Sequence, residues 1–247
     1  MHDAQPRIRR DAERGRFRND WLEARFSFPF GTWHDPRWPR FGALLALNED
    51  RVQPGRGFAM HPHTDLEILM LPRLGRIEHR DHLGGHALLG PGELHFMRAG
   101  HGIRHSQMNP SLHEVDHHFQ IWLEPRTRGL DPAVQTLRLP PLRAGAWMVL
   151  ASGRGEGGAA VDVDGSVRWG LATADAPLPL PSLAGGMRYL HVVSGAVVLP
   201  NDTLNAGDAW VWPAAGAPLT LAANGAAELL CFEFPTNPLP THDGDVR

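Results

Sequence analysis

The chain contains no lysine: all 24 basic residues among its 247 are arginine. No ligand pattern goes with that bias, and it reads as the coding composition of a GC-rich bacterium. Cysteine is nearly as scarce. Cys231 stands alone, so no disulfide can close within the chain, and a reducing, cytoplasmic setting is expected. No apolar run approaches the roughly 18–20 residues that a membrane span needs. The opening stretch MHDAQPRIRRDAERGRFRND has no apolar centre of the secretory kind, and Asp11, Glu13 and Asp20 argue against an organelle-targeting peptide. It is expected to be a solvated arm over residues 1–20. Excess charge is missing as well. A formal net charge of −3 gives no reason to expect a nucleic acid or another polyanion as a direct partner.

What the chain has in abundance is glycine, proline and histidine. Its 27 Gly and 22 Pro leave little room for long helices. They punctuate short segments rich in Val, Leu, Phe and Trp, such as LEILML, GELHFM, HHFQIWL, RYLHVV, DAWVW and ELLCFEF. That spacing predicts an all-β chain of short strands. One short helix is expected at Asp131–Leu137, with Asp as its N-cap and Pro at its first position. The stretch LGPGELHFMRAG from Leu89 resembles LNAGDAWVWPAAG from Leu204. Two copies of one β unit predict two stacked barrels or sandwiches, divided in the Pro- and Arg-rich segment Glu124–Arg143. The expected units are 21–130 and 131–247. Trp33, Trp38, Trp122, Trp147, Trp210 and Trp212 are expected to pack in cores or between the barrels.

Eleven of the 15 histidines fall between His61 and His118, whereas the second half has only His191 and His242 and no pair at spacing two. Most of the eleven are expected to be exposed strand positions. His61 and His63 differ, because they sit in the Gly-bounded apolar stretch GFAMHPHTDLEIL. Residues i and i+2 of a strand face the same way with Cα atoms about 7 Å apart, so two imidazoles there can reach one ion at about 2.0–2.1 Å. His105 and Gln107 repeat the spacing downstream. Histidines from two strands facing one small lumen suit Fe, Mn, Ni, Cu or Zn. Glu67 shares the parity of the pair and is expected to face the same interior. His79 and Asp81, in EHRDHLGGH, share a parity too; they could pair with each other behind the metal ligands, but a turn-stabilising role is the favoured expectation.

These residues carry a family resemblance. Gly55, His61, His63 and Glu67 look like the first motif of the cupins, and the fuller pattern from Trp21 to Pro125 is similar to the pirins, a bicupin family. The resemblance implies two cupin-type β-barrels in tandem, with a non-haem metal, usually Fe(II), in the first and no ligands in the second. It implies metal ligation by His61, His63 and His105. It implies a flavonol-like substrate and O2, as in quercetin 2,3-dioxygenase activity, or else the regulatory role known for the animal protein, exercised through a protein partner. The family's ligand glutamate does not carry over: its place holds Gln107, in HSQ.

That departure bears on chemistry. An amide oxygen is neutral and a weaker ligand than a carboxylate, and it cannot act as a base, a role worth typically about 10²–10⁴-fold. Gln107 therefore raises a non-catalytic binding role, or a vacant site, against the oxygenase. Glu67 is the candidate to complete the metal shell or to serve as base in its stead; the alternative is a buried carboxylate bonded to a neighbouring strand. Phe58, Leu69, Phe96, Met97, Phe119 and Trp122 are the candidate walls of a substrate pocket.

Overall fold

The computed structural model describes residues 6–181, 186–213 and 219–235. The chain enters through β1 (Arg7–Arg9), a 3₁₀ turn at Asp11–Glu13, β2 (Gly15–Arg18) and β3 (Leu22–Phe26). It continues with β4 (Leu44–Val52), β5 (Gly57–His63), β6 (Glu67–Leu74), β7 (Ile77–Asp81) and β8 (His86–Leu89). Then come β9 (Glu93–Arg98), β10 (Ile103–Met108), β11 (Asp116–Leu123) and β12 (Ala133–Arg138). The second half holds β13 (Ala146–Ser152), β14 (Ala159–Ala160), β15 (Ser166–Ala172), β16 (Leu178–Pro179) and β17 (Met187–Ser194). It ends with β18 (Ala196–Leu199), β19 (Asp202–Asn205), β20 (Ala209–Pro213), β21 (Thr220–Ala223) and β22 (Ala227–Phe234). The described residues are all-β apart from that one 3₁₀ turn, and no helix among them is long and apolar enough to cross a membrane.

The strands form two barrels of one design. In the first, a seven-stranded sheet β12-β9-β6-β11-β4-β3-β2 faces a four-stranded sheet β5-β10-β7-β8. In the second, β1-β20-β17-β22-β15-β13-β14 faces β16-β21-β18-β19. The repeat seen in the sequence is real at this level: β9 and β20 both lie one place in from the edge of their long sheets. The edge places are filled by exchange of position along the chain. β12 lies beyond residue 130 yet pairs with β9 of the first barrel, and β1 lies within the first 20 residues yet pairs with β20 of the second. Residues 7–18 are thus built into sheets at both ends rather than extending as a solvated arm. Arg9 is fully buried, and Arg10 pairs with Asp202 and Asp208 across the two halves.

The helix expected at 131–137 is a strand instead, Ala133–Arg138, in register with Arg98–Glu93. A helix that short has an unfavourable nucleus and closes few hydrogen bonds, whereas the open edge of β9 offers a ladder to pair with.

The inner strands of each long sheet are buried on both faces. One face closes its own barrel. The other meets the second barrel, where Phe28, Leu47, Leu69, Phe96, Phe119 and Ile121 pack with Leu150, Trp169, Tyr189, Leu230 and Phe232 in a single core. Two-sided burial explains why β6 reads as a nearly unbroken apolar run rather than an alternation.

Candidate metal centre

Two adjacent strands of the short sheet bring three histidines together. His61 and His63 lie on one face of β5, and His105 on β10 is directly opposite His61 in the antiparallel register. One ring nitrogen from each lies within 4.8 Å of the others, the only such group of His, Cys, Asp or Glu among the described residues. Ring centroids are 4.5 Å apart for His61 and His105, 4.8 Å for His61 and His63, and 5.0 Å for His63 and His105. A glycine allows the strands this approach. Gly57 opens β5 at φ 154°, and a Cβ there would sit 2.3 Å from the carbonyl oxygen of Gln107.

The imidazoles are arranged to offer lone pairs. Nδ1 of His61 donates to the carbonyl of Ala59 at 2.7 Å, which leaves Nε2 with its lone pair free. Burial, reinforced by His61, lowers the pKa of His63 to about 4. Burial and then the neighbouring His61, His63, His79 and His95 lower that of His105 to about 2. Nε2 of His105 is buried without a partner in the protein. Three converging imidazoles, one with an orphaned buried nitrogen, fit a borderline divalent ion.

Gln107 lies two residues beyond His105, across a bulge in the pairing with β5. Both ends of its amide are engaged. Nε2 is 2.7 Å from Nε2 of His118, and Oε1 accepts from Nε2 of Gln120 at 3.1 Å. His118 in turn reaches Asp116 through Nδ1 at 2.9 Å and lies 3.7 Å from Asp50. Burial works against a charge on His118, but Asp116 and Asp50 outweigh it and raise its pKa. An amide can serve either state of that ring: it donates to the neutral imidazole, or turns over and accepts from the imidazolium. This chain of Gln107, His118, Asp116, Asp50 and Gln120 was not foreseen. Its trace in the sequence is the spacing Asp116, His118, Gln120, three alternate residues of one strand facing one way.

Glu67 is not part of the triad. Asp65, at φ 49°, reverses the chain, so Glu67 starts β6 in the opposite sheet and parity counted from β5 does not reach it. Its side chain is fully buried and accepts from Nε of Arg98 at 2.8 Å. Of the two roles expected for it, this geometry fits the buried carboxylate bonded to a neighbouring strand, Arg98 lying on β9 beside β6, and not the one that completes the shell or acts as base.

The proposed pocket walls divide by parity as well. Trp122 packs edge-on against His63 at 5.1 Å, Phe58 lies 6.3 Å from His61, and Met97 is inside the first barrel with Ile68 and Ile103. Leu69, Phe96 and Phe119 point the other way into the core between the barrels. A strand apolar on both faces does not reveal which face is inner. Phe30, missed in the sequence, flanks Trp122 at 5.0 Å, and Trp21 flanks Phe58 at 5.2 Å. Aromatic rings thus lie beside His61 and His63.

A family model described as Pirin matches residues 7–123. Over 231 residues the chain is 32% identical to a quercetin 2,3-dioxygenase of Escherichia coli strain K12, spanning 92% of this chain and 98% of that one. It is 36% identical over 191 residues to a pirin-like protein of Caulobacter vibrioides, spanning 76% of this chain and 82% of that one. Among solved structures, the bacterial pirin YhhW in complex with nickel(II), from Escherichia coli, superposes with a TM-score of 0.86 at 30% identity, over 94% of this chain and 99% of that one.

Proposed function

This chain belongs to the pirin family, and from that premise we propose that it is a metal-dependent bicupin whose first barrel holds one divalent ion on His61, His63 and His105. The observation that carries the reading is the convergence of three imidazoles from two strands, with Nε2 of His105 buried and unpartnered. The nickel(II) complex of the similar Escherichia coli pirin supports a divalent ion here. Iron(II) is the first candidate from the family resemblance, with nickel(II) next.

The relatives named quercetin 2,3-dioxygenase support a planar, enolisable aromatic of the flavonol kind as substrate, with O2 as co-substrate. When bound, the ion supplies a Lewis-acidic centre for an enolised hydroxyl. Trp122 and Phe58 supply flat apolar faces beside His63 and His61, and Phe30 backs Trp122. The hydroxyl proton finds no carboxylate in the group, since Gln107 is an amide and Glu67 is held by Arg98 in the other sheet.

That last observation favours a second reading, in which the same metal site serves a regulatory protein without turnover. Metal content decides the first step. Elemental mass spectrometry on protein purified without chelator, beside Gln107→Glu, is expected to find near-stoichiometric divalent metal in both. A wild type without metal beside a loaded variant would mean that Gln107 has disabled the site. With metal in place, aerobic loss of flavonol absorbance supports the oxygenase. Absence of that loss supports the regulatory reading and directs the search to a protein partner.

A further inference from the structure

We propose that His79 and Asp81, which lie outside the triad, are positioning residues that fix a proton on Nδ1 of His105 and so leave its Nε2 free to bind an ion. The inference rests on the reading of the triad as a metal site.

The argument starts at the far end, where β7 gives way to a turn. Oδ1 of Asp81 accepts the backbone N–H groups of Leu83 and Gly85, each at 2.9 Å. This is the turn-stabilising role expected from the sequence. Oδ2 does something further: it lies 3.0 Å from Nε2 of His79, with both side chains buried. Gly85 makes room for it, since a Cβ there would sit 2.1 Å from Oδ2. Burial alone would raise the pKa of Asp81, but the bonds from His79, Gly85 and Leu83 outweigh that and hold the group ionised.

An ionised carboxylate only accepts, so Nε2 of His79 carries the hydrogen. The ring of His79 is fully buried, its Nε2 faces the carboxylate and the ring of His95 packs against it at 4.4 Å, a setting that disfavours a second hydrogen on the ring. A neutral imidazole has one N–H, so Nδ1 of His79 is bare. That atom faces Nδ1 of His105 at 3.3 Å. Two bare nitrogens would repel, so the hydrogen between them belongs to His105. Its Nε2 is then the lone-pair atom, and it is the atom left without a protein partner. His61 reaches the same state through the carbonyl of Ala59. Metal-bound histidines usually donate their second N–H in this way, and loss of the acceptor costs about 10–100-fold in affinity. Here the acceptor is a second imidazole backed by a carboxylate.

Asp81→Asn separates this role from mere packing. The two backbone N–H groups still require an oxygen at the Oδ1 position, so the NH2 group must take the place of Oδ2 and donate to His79. The hydrogen of His79 moves to Nδ1, which then donates to His105. His105 carries its hydrogen on Nε2, pointed at the ion. The same kind of tautomer inversion accounts for the damage when the aspartate of a serine-protease triad becomes asparagine.

The experiment has two arms. Long-range ¹H–¹⁵N correlation spectra of the metal-free wild type are expected to show His105 protonated at Nδ1 and His79 at Nε2. Both assignments should reverse in Asp81→Asn with the fold unchanged. Calorimetric titration with nickel(II) is expected to show the variant binding about 10–100-fold more weakly. His79→Phe, which removes the acceptor without inverting it, should lose less. His105 protonated at Nε2 in the wild type, or equal nickel affinity in wild type and Asp81→Asn, would overturn the inference. A wild type that binds no nickel while showing the expected tautomers would overturn the metal reading and leave the tautomer assignment standing.

Discussion

A single oxygen-to-nitrogen change at position 107 alters what its neighbours must do. The substitution Gln107→Glu would place a carboxylate where the amide now meets Nε2 of His118, a ring already flanked by Asp116 and Asp50. It is therefore expected to raise the pKa of His118 above its already raised value, read from an NMR titration of its ring protons. Glu67 offers a contrast on the opposite sheet. Removing its charge in Glu67→Gln should leave bound metal at the wild-type level. Arg98→Ala should destabilise the fold by about 3 kcal/mol in urea unfolding, because it strands a fully buried carboxylate. Parity along the sequence grouped Glu67 with the histidines; the left-handed residue Asp65 between them separated it.

At the scale of strands, the centre depends on how closely β5 and β10 can lie. Gly57→Ala would force a Cβ against the backbone of Gln107 at a φ that disfavours side chains. Both stability and nickel affinity are expected to fall, the former by about 1–3 kcal/mol, measured by urea unfolding and calorimetry. The H-x-H spacing announced β5 and its two ligands, because alternation alone puts them on one face. That His105 would lie opposite His61 was not available from spacing, since register between distant strands is set by the turns and by a bulge between His105 and Gln107. The segment Ala133–Arg138 shows the same limit. Its helix-start residues were legible, but the free edge that captured it was not.

The whole molecule has a pH dependence that follows from its interior. His191 sits in the core between the barrels, against Phe119 at 5.7 Å, with neither ring nitrogen partnered. Burial, and next the charge of Arg14, lower its pKa from 6.5 to about 3. Between those values the unfolded chain holds a proton there that the folded one does not. Stability therefore rises with pH across the window and is lost as pH falls below about 6.5. His95, lowered to about 3 by burial and then His79, acts in the same direction. His191→Leu is expected to raise the melting temperature, and to raise it more at pH 5 than at pH 8, in calorimetric scans. An equal shift at both pH values would show that His191 does not contribute to the acid sensitivity.

The sequence by itself determined the all-β architecture, the two-fold repeat of the barrel and the shared face of His61 and His63. Short apolar segments between glycines and prolines can form little else, and an H-x-H pair needs only the two-residue period of a strand. Tertiary structure decided the rest. It set which faces of doubly buried strands are inner, and so which of Phe58, Leu69, Phe96, Met97, Phe119 and Trp122 stand near the triad. It also exchanged the edge strands between the two barrels, held Gln107 against His118, and lined up Asp81, His79 and His105. These relations join residues far apart in the chain through hydrogen bonds a few ångströms long, and no local pattern encodes a distance of that kind.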